Sequence, residues 1–441
     1  MKKTTEPMKD PGPIPEELLD CPGFVHNLME FTLKTAPYPN RPLAFAGALT
    51  MLAHLSGRGY RDTRNMRTNL YLIALAPSGT GKDHPRKVNI NLASQYGFMP
   101  TMGDRFASAE GLEDSLMLQN ASFYQVDEAD TLFRSLQDKD SSVEKIYGSL
   151  LQFYTSSDTT YTMRKKALAK GCKLDDYDRI RSQGIRYPHL TLWGTAVPKY
   201  FYEALSTRSL ENGLLARCLV LEADKRGNPG DPHLEVFPPA VQVDTVLLRN
   251  RGLYLGGEAL PTLQLGAASA QIIREPYVVP EKDEDAKMMV EATIDAINSL
   301  YESATDTTAQ ALWTRGAEKA LKLALLYAIS ENPENPVITT AGLEWGYKLA
   351  SLITMRMLYM ASIYVYDNAF DAKRQKALRK LKESGGSMSH SQLLRSLHTD
   401  KDTFRRIIDT LLESELIVQR ESDFGKISYF LKDANSQIIH N

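Results

Sequence analysis

The chain has 441 residues, enough for two or three domains, with 43% hydrophobic and 24% charged residues, the balance of an ordinary soluble globular protein. A formal net charge of -2 excludes a global basic field, so any nucleic acid must be met by local patches. Cys21, Cys172 and Cys218 form neither a metal pair nor a disulfide framework, which favours a reducing, cytoplasmic compartment. No run of about 18 apolar residues is present to span a membrane.

Residues 1–16 read as a loose, Pro-rich tail without the apolar stretch of a signal peptide. Residues 17–66 form a helical segment: Phe24 to Lys34 and Leu43 to Leu55 have helical apolar spacing around the loop Thr35 to Pro42. Four β-like runs follow, Leu70 to Leu75, Ala121 to Val126, Leu190 to Trp193 and Leu215 to Leu221, with helical segments between them. That alternation predicts an α/β fold with a parallel sheet over residues 67–280. Gly227 to Pro232 is a turn cluster, and residues 250–285 read as an irregular insertion or small hairpin. Residues 281–365 are helical and predict a lid, in which Trp313, Ala317, Ala320, Leu321 and Ala324 mark one buried face. Arg315, Lys319 and Lys322 share the opposite, solvated face. A boundary falls near Asn368 to Phe370, before a separate module at 371–433.

The most informative stretch is Ala76-Pro77-Ser78-Gly79-Thr80-Gly81-Lys82-Asp83, at the end of the first apolar run. Backbone N–H groups in such a turn surround a phosphate, and the next helix adds its positive N-terminus. Lys82 supplies a point charge for the β- and γ-phosphates of ATP. Two positions break the usual G-x-x-x-x-G-K-[ST] pattern. Ala76 is merely small where Gly is usual. Asp83 stands where a Mg²⁺-binding hydroxyl is usual: it is a possible oxygen ligand, and also a favourable first residue of a helix.

Downstream, Phe123 to Val126 ends in Asp127-Glu128. Asp127 suits a Mg²⁺ ligand and Glu128 a general base for the attacking water. The spelling Asp127-Glu128-Ala129-Asp130 is a coincidence, because a DEAD-box helicase also needs a Ser-Ala-Thr motif and a second RecA-like domain. Thr195, at the end of the third run, is either a sensor of the γ-phosphate or a cap of the next helix. Arg217, at the entry of the fourth run, either reaches a neighbouring subunit's nucleotide or pairs with Glu222 or Glu211. Arg315 is a second-sensor candidate.

This order of parts resembles an AAA+ ATPase across residues 20–362. Gly194-Thr195-Ala196-Val197-Pro198 and Leu214-Leu215-Ala216-Arg217-Cys218-Leu219 resemble the sensor and arginine-finger region of MCM-type helicases. The whole is similar to P-loop replication helicases of phages, prophages and plasmids. Asp83 and Thr195 depart from the family's pattern, in which an Asn is more usual at the second position. The resemblance implies an ATP-driven motor on single-stranded or forked DNA, a homo-oligomer, hexameric in that family, and a primase or other replication protein as partner. The alternatives are a nucleotide-switched DNA-binding initiator or regulator, and an assembly protein with a degenerate loop.

In the module at 371–433, Ala372 to Lys382, Ser391 to Leu397 and a third helix capped by Thr399-Asp400 precede two strands, Leu416 to Arg420 and Ile427 to Leu431. Three helices and a hairpin predict a winged helix. Lys401, Arg405 and Arg406 on its third helix and Lys426 on its wing are the DNA-binding candidates, with a basic first helix, Lys373 to Lys382, beside the backbone. Protein contact is the competing role.

Overall fold

A computed structural model describes residues 9–137, 141–165, 181–223, 225–230, 243, 276–304, 306–365, 369–421 and 425–432. The chain divides into two compact units, Met1–Tyr359 and Met360–Asn441.

The larger unit is built on a five-stranded parallel sheet: β1 Tyr71–Leu75, β2 Met102–Gly103, β3 Ala121–Val126, β4 His189–Ala196 and β5 Cys218–Glu222. Its order is β2-β3-β4-β1-β5. The Gly-rich loop's strand and the acidic strand are therefore not neighbours, because β4 lies between them. β1 and β4 are buried along their whole length, as a sheet covered on both faces requires. The run at Leu215 to Leu221 is shorter as a strand than its apolar pattern predicts. Leu214–Arg217 is a helical turn, and β5 starts at Cys218.

Of two N-terminal helices, α1 Phe24–Thr35 and α2 Arg41–Ser56, α2 packs on the sheet and α1 packs on α2. The Asn40 side chain accepts from the Leu43 N–H at 3.2 Å, and Pro42 occupies the first turn, so α2 begins where a cap and a pre-set φ coincide. Residues 43–56 of α2 are all buried. Gly47 makes this possible: a Cβ there would stand 2.9 Å from Pro85 Cβ and 3.2 Å from the Trp193 ring. The loop's helix, α3 Asp83–Gln95, and β4 thus close on α2 without a gap.

Beyond the sheet the described residues include α4 Glu284–Ser303, α5 Thr307–Trp313, α6 Gly316–Glu331 and α7 Thr340–Tyr364, the last running past the unit boundary. α6 is buried on nearly every side, Lys319 and Lys322 included. The solvated face expected there is corrected: Lys319 Nζ donates to Thr354 Oγ1 at 3.0 Å, and Lys322 Nζ donates to Asn69 Oδ1 at 2.6 Å and to the Asn69 carbonyl at 3.0 Å. Most of the 250–285 insertion lies outside the described residues. Its end, Tyr277–Val279, pairs in parallel with Tyr60–Asp62.

After the end of α7, the described residues of the smaller unit form three helices, Ala369–Glu383, His390–Leu397 and Lys401–Glu413, and a three-stranded antiparallel sheet. The sheet order is 387–389, 427–431, 417–421. Ser389 and Gln392 form a capping box, and Asp400 accepts from the Thr403 N–H at 2.8 Å. Leu381, Leu393, Phe404, Ile407 and Ile417 share one core. Ser387–Ser389 adds a strand that the Gly385-Gly386 break conceals. Most of the turn at Ser422 to Gly425 lies outside the described residues.

Among the described residues no helix is long and apolar enough to cross a membrane.

Candidate active site

β1 ends at Leu75, and the chain turns through residues 76–82 into α3. Ala76 is buried and donates its N–H to the Ala196 carbonyl at 3.0 Å, which ties the loop to the end of β4. Thr80 is buried, and its hydroxyl donates to the Pro77 carbonyl at 2.7 Å, closing the turn on itself. Gly79 and Gly81 have φ of 77° and 89°, the left-handed region that favours glycine. Gly81 has a second reason: a Cβ there would stand 2.9 Å from the Tyr38 carbonyl oxygen. The loop between α1 and α2 therefore rests directly on the turn.

The loop opens on a cavity of about 660 Å³, within the range of small-molecule sites. Ser78, Gly79, Gly81, Lys82 and Asp83 line it from one side, Asp127 and Glu128 from the other. Two stretches far apart in sequence thus meet at the carboxyl ends of the parallel strands, where open α/β sheets hold their ligands. Tyr38, Asp130, Thr131, Arg134, Tyr200 and Arg226 also line it. Arg226 lies over the Tyr38 ring at 3.5 Å. Pro77 and Thr80 shape the turn instead of facing the cavity.

Asp127 is the most constrained acid. Thr195 Oγ1 donates to its Oδ1 at 2.7 Å, and so does the Glu128 N–H at 3.0 Å. Partial burial pushes the carboxyl up, but these two hydrogen bonds, with Arg86 and Lys82 nearby, outweigh it and hold Asp127 below the usual Asp value. Thr195 is fully buried, so its hydroxyl serves Asp127. The helix after it, Pro198–Glu203, has no side-chain cap, which excludes the capping role. Glu128 has φ of 53°, a conformation uncommon for residues other than glycine, and one that clusters at functional sites. The Ala129 N–H donates to the Thr195 carbonyl at 2.9 Å and anchors the turn that presents Glu128.

Asp83 is the first residue of α3 and largely exposed. Arg86, one turn on, reaches both Asp83 and Asp127: Nη1 lies 3.8 Å from Asp83 Oδ1 and 3.6 Å from Asp127 Oδ2. Among the described residues no group of three or more His, Cys, Asp or Glu side chains is gathered to hold a metal. Mg²⁺ does not need one, since it is commonly held by one or two carboxylates with substrate phosphates and water. Asp83 and Asp127, facing one cavity, fit that donor set.

Arg217 and Arg315 do not line this cavity. Cys218 pairs with Tyr71 at the start of β1, so Arg217 sits a strand's length from the loop, roughly 16 Å for five residues. Neither pairing expected for it is made. Glu222 binds Arg356 at 2.8 Å, and Glu211 accepts from Thr307 at 2.6 Å. Arg217 instead donates to the Gly213 carbonyl at 2.7 Å and to Thr155 Oγ1 at 3.3 Å. Burial first, and then the Arg315 charge, hold its guanidinium below the ordinary value. Arg315 donates to Glu318 at 2.9 Å. Two half-buried arginines thus stand together at the amino ends of the strands.

In the smaller unit, Lys401 and Arg405 line a cavity of about 500 Å³ with Asp402, Asp409, Gln419 and a His390–Tyr429 pair hydrogen-bonded at 2.8 Å. Arg406 turns aside, its guanidinium 5.2 Å from the Phe370 ring centroid. Lys426 is exposed beside the strand Ile427–Leu431. Two carboxylates thus share the cavity with Lys401 and Arg405, and Arg406 and Lys426 do not line it.

No known protein-family model matches this chain, and no curated protein matches it.

Proposed function

We propose that the chain is an ATP-hydrolysing enzyme of the AAA+ P-loop type and works as a DNA motor, a hexameric replicative helicase of a mobile element. One observation carries the reading: Lys82 of a glycine turn, Asp127 and Glu128 line a single cavity at the carboxyl ends of a parallel sheet. In this reading the N–H groups of residues 78–82 and the Lys82 ammonium hold the phosphates. Asp127 and Asp83 would hold Mg²⁺, which when bound adds positive charge where phosphoryl transfer builds negative charge. Glu128 accepts the proton of the attacking water. Arg217 and Arg315, too far from their own cavity, act on the nucleotide of a neighbouring subunit. The smaller unit is a winged helix whose Lys401, Arg405 and Lys426 meet DNA phosphates.

The test is ATP turnover with and without forked DNA. Lys82→Ala and Glu128→Gln should each abolish it, and normal turnover in either variant defeats the assignment. DNA-stimulated turnover with strand separation supports the motor. Slow hydrolysis with tight site-specific binding supports a nucleotide-switched initiator instead.

A further inference from the structure

The position after Lys82 carries the chain's sharpest departure from the usual loop. Asp83 puts a full negative charge where a neutral hydroxyl is usual, beside the place for a triphosphate. Like charges at such a separation repel, though solvent screens an exposed carboxylate. A site that tolerates Asp83 needs a compensating cation, and Arg86 is placed to be one.

Arg86 is held from behind. Its Nη2 donates to the Gln125 carbonyl at 2.9 Å and to Asp104 Oδ1 at 3.0 Å. These contacts come from the end of β3 and from the residue that follows β2. Gln125 itself is buried and accepts from Asn89 Nδ2 on α3 at 3.1 Å. The guanidinium is therefore fixed by one amine, and the other, Nη1, faces Asp83 and Asp127. The Arg86 side chain is only 17% exposed, whereas that of Asp83 is 70% exposed. The cation is the built part of the pair, and the acid is the exposed part.

We propose that Arg86 is a positioning residue that neutralises Asp83 and fixes Asp127, so that Asp83 and Arg86 together replace the neutral hydroxyl of the usual loop. The inference rests on the nucleotide-site reading above. Arg86 acts through the two carboxylates and touches no reacting atom.

The experiment is a double-mutant cycle on ATP affinity, measured by calorimetry on the full chain with Mg²⁺ and again with chelator, with thermal melting as a check on folding. Arg86→Gln should weaken binding roughly tenfold under both conditions. Arg86→Lys should recover part of it. Asp83→Ser in the Arg86→Gln background should restore most of it. With chelator, Asp83→Ser alone should tighten binding by less than tenfold, because Arg86 already offsets the carboxylate; with Mg²⁺ it should lose part of the metal's contribution, and it answers the question even if Arg86→Gln melts. Unchanged affinity in Arg86→Gln, no recovery in the double variant, or a tenfold gain in Asp83→Ser alone would each overturn the proposal. If the unaltered chain binds no ATP, the nucleotide-site reading falls with it. Binding in the unaltered chain with no Arg86 effect removes this inference alone.

Discussion

Thr195 donates its hydroxyl to Asp127 at 2.7 Å, so the central strand holds the acid at the end of its neighbour. The bond explains why a threonine suits this position: its hydroxyl is short, buried and aimed sideways across the sheet. Thr195→Val should raise the Asp127 pKa toward the usual value and lower ATP turnover about tenfold, with a stability loss of about 1 kcal/mol. Thr195→Ser should keep most of the activity. A carboxyl titration by NMR and steady-state turnover check this, and equal rates in Val and Ser would contradict it.

Arg217 offers a test of assembly. Arg217→Ala should keep ATP affinity and cut turnover about a thousandfold, the scale of a missing arginine finger. Mixing it with Lys82→Ala should recover activity, because each variant supplies what the other lacks. Mixed samples as inactive as the parents would exclude action across a subunit boundary.

Acid should weaken the larger unit before most carboxylates titrate. His54 is buried against Thr101 Oγ1 at 2.8 Å, and burial lowers its pKa to about 3. His189, bound to the Ala53 carbonyl at 2.9 Å, is also held well below its usual value, mainly by burial. Unfolded, both titrate near 6.5. Below that pH the unfolded chain takes up protons that the folded chain refuses, so stability present above pH 6.5 is lost as pH falls toward 3. At pH 5 the loss from His54 is about 2 kcal/mol, and His189 adds to it in the same direction. Thermal midpoints at pH 7.5 and pH 5 measure it, and equal midpoints would refute the assignment.

Lys322 ties α6 to the segment that enters β1. Besides its bonds to Asn69 it lies 3.4 Å from Glu318 and 4.0 Å from the Tyr154 ring centroid. Lys322→Ala strands these partners in the interior and should destabilise by about 3 kcal/mol. Lys322→Met, which refills the volume, should do less harm. Urea titration ranks the two, and an Ala variant as stable as the parent would show that the contacts contribute little.

Cys21 and Cys218 are free and buried, and burial raises each thiol to about 12. Both should resist a thiol reagent at pH 8 in the folded chain and react on unfolding. Peptide mapping after labelling reads this directly, and labelling of either in the folded chain would contradict its burial.

Much of the larger unit was legible because its signals are local. Ala121–Val126 is a strand with the bounds its apolar run predicts, and α1 and α2 lie within a few residues of their spacing. Leu215 to Arg217 misled because periodicity cannot separate a short buried helical turn from a strand. Lys319 and Lys322 misled because a lysine at helical spacing reads as solvent-facing, yet α6 is enclosed. In the cavity, Lys82, Asp127 and Glu128 carry motif chemistry. Arg86, Tyr38 and Arg226 carry none, and their place follows from tertiary contacts that no local pattern encodes.

The Tyr38 carbonyl fills the space that a side chain at Gly81 would take, and Arg226 covers the Tyr38 ring. The cavity's walls therefore draw on stretches as far apart in the chain as Tyr38, Lys82, Glu128, Tyr200 and Arg226. During synthesis the pocket cannot be completed until residue 226 has left the ribosome, so a nascent chain shorter than that exposes its glycine turn without the wall that closes the cavity.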